Sequence, residues 1–219
     1  MELSSLSPGL ILVVVVSLAL APYIAVMITA FTKLVVVFSL LRNALGLQQT
    51  PPNMVLNGLA IILSIYVMYP VGLEMSDYAR EELANNTEEV QLEQLLTIAS
   101  KAKEPLREFL IKHTADSERA FFLSSAKRLL PEERSSEVSK DDLIVVVPAF
   151  TVSELSRAFQ IGFLIFLPFL VIDLLVSNIL QALGMMMLSP TTISLPFKLL
   201  LFVLLDGWSK LIHGLILTY

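Results

Sequence analysis

The chain has 219 residues, a length that suits one ordinary soluble domain, but its composition excludes that class of protein. Hydrophobic residues make up 55% of the sequence and charged residues 16%, whereas a typical soluble protein has about 45–50% and about 25%. Residues 74–157 hold 28 of the 35 charged side chains, of which 17 are acidic and 11 basic. The sequence therefore predicts a membrane protein with one acidic, water-facing insertion.

The same composition excludes several functions. An acidic insertion without a basic stripe argues against nucleic-acid binding. The sequence contains no cysteine, which excludes disulfides, iron–sulfur clusters and thiol catalysis. Phosphate-binding loops, dinucleotide fingerprints and zinc-protease motifs are absent from it, so it gives no support for catalysis or for a cofactor. His113 and His213 lie far apart and lack metal-ligand spacing, so we expect no metal site.

Four apolar stretches are long enough to span a bilayer, which takes about 20 helical residues. They lie at residues 9–30, 54–74, 159–181 and 195–217. Backbone polar groups in lipid must be bonded within the segment, and the alternation of a barrel strand is absent, so we expect helices. The predicted fold is an all-α membrane protein with one helical hairpin in residues 1–75 and another in residues 148–219.

The short segment between the first two stretches sets the predicted orientation. Its only charges, Lys33 and Arg42, are basic, and short basic loops stay in the cytoplasm. Both termini and the insertion, residues 76–147, are therefore expected outside the cytoplasm.

The insertion has the pattern of amphipathic helices and not of a disordered loop. One helix is predicted to begin at Thr87, and another restarts at Pro105. A third helix is expected to end at Pro131. After a polar linker, Thr151–Glu154 matches a capping box, which predicts that the next helix begins there.

Prolines mark the turn between the last two apolar stretches. Pro190 and Pro196 bracket the segment SPTTISLP at residues 189–196. Because proline interrupts a helix, this segment predicts a turn and hence a helical hairpin.

Three consecutive methionines stand just before this turn. Gly184 is followed by Met185, Met186 and Met187, although the whole chain has only eight methionines. Three successive helical residues cannot share one face, so they predict a collar at the hairpin tip, with Gly184 and Pro190 as its hinge. Met is flexible and apolar, which suits closure around varied shapes but equally suits gap-filling in a packed interface.

Six ionisable residues lie within or beside the last two stretches, where an unpaired charge is costly. They are Glu154, Arg157, Asp173, Lys198, Asp206 and Lys210. One interpretation is a path for protons or ions. The other is pairing between helices or subunits, which the equal number of acids and bases favours. Asp206 and Lys210 are four residues apart, so they can pair within one helix.

Long stretches of the sequence resemble the type III secretion export-apparatus family, which comprises flagellar FliP and injectisome SctR. The resemblance rests on FTKLVVVFSLLRNALG (31–46), QQTPPN (48–53), PAFTVSELSRAFQIGF (148–163), LPFLVIDLLVSNIL (167–180), ALGMMML (182–188) and LPFKLLLFVLLDGW (195–208). It covers nearly the whole chain and is weaker across residues 76–147. It is closer to the injectisome branch, because no signal peptide is recognisable.

The resemblance implies a core pore-forming subunit of an export gate. Such a gate passes unfolded proteins across the bacterial inner membrane, and the resemblance implies a role in virulence. It implies five copies in a pseudo-helical ring with a small two-helix subunit of the FliQ or SctS type. A larger subunit of the FliR or SctT type and other gate, needle or rod components would join them. Met185, Met186 and Met187 would line the closed pore. Glu154 and Lys198, held in the motifs SEL and LPFK, would form an ion pair between subunits.

Two other functions stay open at this point. A small secondary transporter or ion channel would work as a monomer or dimer and would need its buried acids. A purely structural scaffold would tolerate replacement of the methionines. A gate subunit would need both its oligomer and its hairpin tip.

Overall fold

The computed structural model describes residues 8–84, 101–185 and 187–219, and the regular elements in these ranges are all helices. They are α1 (Pro8–Met27), α2 (Phe31–Ala44), α3 (Asn53–Ala84), α4 (Glu104–Lys112), α5 (Asp116–Leu129), α6 (Glu132–Ser135), α7 (Leu143–Ala182), α8 (Pro190–Leu204) and α9 (Gly207–Ile216). The predicted all-α fold class is confirmed. The helix start predicted at Thr87 and the tip residue Met186 lie outside the described residues.

Helix α2 is the centre of the fold. Its apolar side chains recur every three or four residues and are almost completely buried, which makes one face of the helix a core surface. They are Leu34, Val37, Phe38, Leu41 and Ala44. This face packs mainly against α7 and also against α3. The expectation of a short basic loop between the first two spans is therefore wrong for residues 31–44, which form a core helix.

Helices α2 and α7 approach each other closely at Gly162. A Cβ atom at this position would lie only 2.2 Å from Cδ1 of Leu40 and 3.0 Å from its Cβ. Real Cβ atoms do not come this close to other carbon atoms, so the crossing depends on a glycine.

Helices α3 and α7 are each long and apolar enough to cross a membrane. Two further pairs of helices are each bent at a short break: Leu18–Met27 meets α2 at 62°, and α8 meets α9 at 60°. The chain has up to four membrane spans if each bent pair is counted as one span. Within the chain, only 17% of the apolar stretch of α3 and 11% of that of α7 is buried. Most of this apolar surface therefore faces lipid or other proteins.

The two long helices extend beyond the predicted segments. Helix α3 continues to Ala84, past the predicted boundary at residue 75, and α7 begins at Leu143, before the boundary at residue 148. The helix start predicted at Thr151–Glu154 is wrong, because these residues lie inside α7. The apolar run of residues 143–150 continues the helix upstream, so a capping-box sequence does not start one here.

Helices α4, α5 and α6 confirm that residues 104–135 of the insertion are helical. Phe109 and Leu110 of α4 pack against Val146 and Phe150 of α7 and form a separate apolar cluster. Helix α5 lies along α7 as well. The insertion is therefore packed onto the first half of the longest apolar helix.

Candidate functional site

A buried ion pair joins α2 to α7. Lys33 Nζ lies 3.1 Å from Glu154 Oε2, and both side chains are 0% exposed. Arg157, almost one turn further along α7, places its NH1 atom 3.1 Å from Glu154 Oε1. Two cations share one carboxylate, and this pairing compensates for the cost of removing the carboxylate from water.

Tyr219 covers the ion pair at the end of α9. Its hydroxyl donates a hydrogen bond to Glu154 Oε2, and Lys33 Nζ lies 3.5 Å from the centre of its ring. Burial, followed by the negative charge of Glu154, raises the pKa of the Tyr219 hydroxyl above its ordinary value. The hydroxyl therefore stays protonated and remains a donor to the carboxylate at physiological pH.

His113, the residue after α4, connects this cluster to the insertion. Its side chain is buried, with Nδ1 2.8 Å from the backbone oxygen of Phe109 and Nε2 3.2 Å from that of Tyr219. Its own backbone oxygen accepts a hydrogen bond of 2.8 Å from Arg157 NH1. We call Lys33, His113, Glu154, Arg157 and Tyr219 the junction. It connects four elements of the fold through polar groups whose partners lie within the chain.

A second buried cation joins α2, α7 and α8. Lys198 Nζ lies 2.6 Å from Asp173 Oδ2 and donates a hydrogen bond of 3.2 Å to the backbone oxygen of Ala44. The Ser194 hydroxyl donates to Asp173 Oδ1 at 2.5 Å. Within the chain, Lys198 thus pairs with Asp173 and not with Glu154. The expected ion pair between Glu154 and Lys198 of neighbouring subunits stays a prediction.

The last two charges expected to be buried, Asp206 and Lys210, are exposed in the single chain. Their expected ion pair is not formed among the described residues, although the Lys210 backbone N–H donates to the Asp206 backbone oxygen at 3.1 Å. The reason is a break in the helix. Asp206 has a φ of 52° and lies just before α9, so the two residues do not share one continuous helix.

The hairpin tip begins where α7 ends. Gly184 has a φ of 72°, its N–H donates to the backbone oxygen of Gln181, and the N–H of Met185 donates to that of Leu180. This is a Schellman ending, which requires a residue that tolerates positive φ. Helix α8 then begins at Pro190 and packs against α7. The predicted hairpin is confirmed, but the turn predicted at residues 189–196 is wrong, because α8 already begins at Pro190 and contains Pro196. Proline is tolerated in the first turn of a helix, so Pro190 starts α8 where the prediction placed a turn.

The described tip methionines point away from the fold of the single chain. Met185 is 44% exposed and Met187 is 100% exposed. The chain therefore leaves apolar, flexible side chains at the outermost point of this hairpin.

Sequence reasoning missed two members of the junction, Lys33 and Tyr219. A signal existed for Lys33, because Leu34, Val37 and Phe38 continue the apolar helical face on which it lies. A basic residue in such a face indicates a buried charge that needs a partner. Tyr219 carried no comparable signal, since its partner Glu154 lies 65 residues away. The described residues contain no group of three His, Cys, Asp or Glu that could hold a metal ion.

Comparisons with known proteins agree with the resemblance seen in the sequence. Residues 13–215 match the model of the FliP family. Yop proteins translocation protein R of Yersinia pestis is 56% identical over 209 residues, which are 95% of this chain and 95% of that protein. Hypersensitivity response secretion protein HrcR of Ralstonia nicotianae is 51% identical over 209 residues, 95% of this chain and 96% of the other. Virulence protein YscR of Salmonella typhimurium is 46% identical over 217 residues, 97% of each. The chain belongs to the FliP family.

Proposed function

From its membership of the FliP family, we propose that this chain is a pore-forming core subunit of a type III protein secretion export apparatus. It acts in the bacterial inner membrane as part of the gate through which unfolded proteins leave the cytoplasm. The relatives named for translocation and secretion support this role. The structural observation that carries the proposal is the hairpin tip, which presents exposed methionines beyond a glycine turn.

The unburied apolar surface supports assembly into a larger complex. The apolar stretches of α3 and α7 are mostly exposed in the single chain. Surface of this kind needs either lipid or partner proteins. We propose a ring of identical copies, five as the family resemblance implies, closed by small two-helix and larger subunits of the FliQ and FliR types. Native mass spectrometry of the detergent-purified complex measures the copy number, and a stable monomer without partners would contradict this assembly.

The properties of methionine suit a gate for polypeptides. A ring of thioether side chains is apolar, so a narrow ring of them excludes hydrated ions. Methionine is also unbranched and has three rotatable side-chain bonds, so the same ring yields to an unfolded chain. Gly184 and Pro190 bound the turn that carries Met185 and Met187, with Met186 between them in sequence.

The buried acids give less support to a transporter. Glu154 accepts contacts from Lys33, Arg157 and Tyr219, and Asp173 accepts contacts from Ser194 and Lys198. Each of these carboxylates joins α7 to other parts of the chain, which is the arrangement of a structural ion pair. The geometry therefore favours structural ion pairs over a proton path.

We further propose that the insertion lies on the periplasmic side. Because Lys33 is buried in the junction, it no longer counts as a cytoplasmic loop charge. The orientation therefore rests on Arg42 and on the family resemblance. The native chain has no cysteine, so Ser124→Cys on the exposed face of α5 gives a clean single label. A membrane-impermeant maleimide should modify it in spheroplasts, and modification only after lysis would contradict the orientation.

The gate proposal predicts a leak when the methionines are removed together. Replacement of Met185, Met186 and Met187 by alanine should leave assembly intact but raise the ion conductance of the cell membrane, because the apolar ring becomes wider. The three leucine replacements should keep the seal. The matched control is Met54→Ala on α3, which removes a side chain that is 86% exposed and far from the tip in sequence.

Conductance or dye entry is measured in cells that express each variant, and complex recovery is measured in parallel. An assembled triple-alanine complex with unchanged permeability would show that the seal lies elsewhere.

A further inference from the structure

A basic cavity of 480 Å³ opens beside the junction, between α4, α7 and the end of α9. Its polar lining includes Lys112, Arg157, Gln160 and Thr218. Lys112 is exposed and Arg157 is 40% exposed, so both reach solvent or a ligand. None of the described residues that line the cavity is an Asp or a Glu.

The charges around this cavity leave an excess of positive charge. Glu154 is the buried carboxylate next to it, and Lys33 and Arg157 share that carboxylate. Arg157 uses one nitrogen, NH1, for its bonds to Glu154 and to the His113 backbone. Lys112 adds a further cation at the rim, 3.5 Å from the backbone oxygen of Tyr219. Among the described side chains, three cations against one carboxylate favour a bound anion.

An apolar groove of 330 Å³ continues from this cavity, and Ile161 and Thr218 line both spaces. The groove follows the contact between α7 and α9, and its lining is aliphatic except for Thr218 at one end and Lys210 at the other. Gly214 lies on its wall, and a Cβ atom at that position would have no neighbour within 4 Å. The groove extends over residues 210–218, so it is about 12 Å long at 1.5 Å per helical residue.

The surroundings of this pair of spaces have the composition of a membrane–water interface. The polar insertion, through α4, meets the apolar helices here. Tyr66 and Tyr69 of α3 are exposed and line a neighbouring cleft that also contains Lys112. Exposed tyrosines and lysines at the end of an apolar helix are typical of the membrane–water interface.

We propose that this cavity and groove form a binding site for one anionic phospholipid. The headgroup phosphate binds Arg157 and Lys112, with Gln160 and Thr218 as further polar contacts. One acyl chain lies in the aliphatic groove past Gly214. The charge of the cavity and the apolar character of the groove fit a ligand that carries an anionic group and a hydrocarbon chain in one molecule. A free phosphate matches only the first requirement, and a neutral lipid only the second.

The test uses the full chain in a mild detergent, titrated with phosphatidylglycerol or with phosphatidylcholine of the same acyl chains. Native mass spectrometry counts lipid adducts on the chain. We expect a saturable single adduct of phosphatidylglycerol that excess inorganic phosphate weakens but does not replace. Equal binding of the two lipids would overturn the proposal, and so would complete displacement by phosphate alone.

Two variants with matched controls locate the site. Lys112→Gln should weaken phosphatidylglycerol binding about fivefold, since one basic residue near a lipid surface has this effect. Lys127→Gln, at an exposed lysine of α5, should leave phosphatidylglycerol binding unchanged.

Gly214→Leu adds a side chain in the groove, where a Cβ atom meets no neighbour within 4 Å. It should weaken phosphatidylglycerol binding about tenfold or more, because the burial of about two methylene groups of the acyl chain is lost. Gly72→Leu is its control, since a Cβ there also meets nothing within 4 Å.

The glycine variants also separate a lipid site from a protein interface. If Gly214→Leu lowers the copy number of the complex and leaves lipid binding unchanged, the groove belongs to a subunit contact and the lipid proposal is wrong. If Lys112→Gln and Gly214→Leu both bind lipid like their controls, the site is not the one proposed.

Discussion

The junction is built around the first half of α7 and the hairpin tip follows the end of the same helix, and the two regions are built in opposite ways. At the junction, the polar atoms of Lys33, Glu154 and Tyr219 find their partners inside the chain, and the charges are buried. At the tip, Met187 is completely exposed, and nothing in the single chain packs over it. One region is complete as a monomer, whereas the other presents side chains that need a partner surface.

Because of this difference, the junction should contribute to the stability of the chain and the tip to its proposed function in the assembled pore. Changes at the junction should act on folding and abundance, because they leave charges buried without partners. Changes at the tip should act on the assembled pore and hardly on the fold of the subunit. Exposed apolar surface is tolerated at the tip because the family resemblance implies that neighbouring copies of the chain lie there.

The largest effect should follow loss of the shared carboxylate. Glu154→Gln keeps the shape of the side chain but leaves Lys33 buried without a counter-charge, so the free energy of unfolding should fall by about 3–5 kcal/mol. Thermal unfolding in detergent and steady-state abundance in the membrane measure this loss. Glu133→Gln on the exposed surface of α6 is the control and should have no effect.

A double variant shows whether the charge or the packing is responsible. Lys33→Met with Glu154→Met removes both buried charges at nearly constant volume and should recover most of the stability lost in Glu154→Gln. Arg157 keeps its bond to the His113 backbone and remains partly exposed. If the double variant is no more stable than the single one, the junction does not depend on charge compensation.

The second effect concerns Lys198, for which the structure and the resemblance give different partners. Lys198→Glu places a carboxylate beside Asp173 and should destabilise the chain by about 2–3 kcal/mol or more, as expected for a buried charged group that loses its partner. Adding Asp173→Lys should restore the stability of the single chain if the internal pair is the important one.

The rescue partner then distinguishes the two interactions. Glu154→Lys in place of Asp173→Lys would rebuild a bridge between subunits, but it also puts a third cation beside Lys33 and Arg157 at the junction. Recovery of the complex with this double variant, measured by native mass spectrometry, would therefore favour the bridge between subunits, and a further loss of the subunit is expected if only the internal pairs matter. If neither Asp173→Lys nor Glu154→Lys recovers the stability of the chain or the assembly of the complex, Lys198 acts through its bond to the Ala44 backbone oxygen.

The sequence predicted most of what depends on local pattern. Hydropathy found the apolar helices, and the prolines and Gly184 indicated a hairpin after α7, because both signals are encoded in adjacent residues. The prolines placed its turn too late in the chain, since Pro190 and Pro196 lie in α8. The lengths of α3 and α7 were underestimated, since a window chosen for membrane thickness ignores the helix that continues beyond it.

The junction was only half predictable, for a physical reason. Glu154 and Arg157 were identified as buried charges from their place in an apolar run. Their partners Lys33 and Tyr219 lie on other helices, and only the fold brings them together. Lys33 was interpreted as a loop charge because the bend after α1 hides that α2 is a separate helix with one face in the core.

A smaller effect is expected where α2 crosses α7. Gly162→Ala should destabilise the chain by about 1–3 kcal/mol, because the added methyl group overlaps with Leu40 at 2.2 Å. Gly72→Ala on α3 is the matched control and should be neutral or stabilise by about 0.5–1 kcal/mol, since it meets no neighbour and removes a helix-interior glycine. Thermal unfolding in detergent compares the two. Similar melting temperatures for both variants would show that the crossing relaxes without cost.

The smallest effect on the fold should come from the tip. Gly184→Ala places a Cβ at a φ of 72°, which costs about 1–2 kcal/mol in the left-handed region, and Gly184→Asn should cost less because asparagine tolerates that region. A Cβ at this position meets no atom within 4 Å, so the cost is conformational and not steric packing. The strain changes the turn that carries Met185, whereas the junction, about 30 residues earlier on α7, should be unaffected. Hydrogen exchange should therefore rise in the last turn of α7 in the alanine variant and stay constant around Glu154. An increase that spreads to the junction would show that the two regions are mechanically connected and that the contrast between them does not hold.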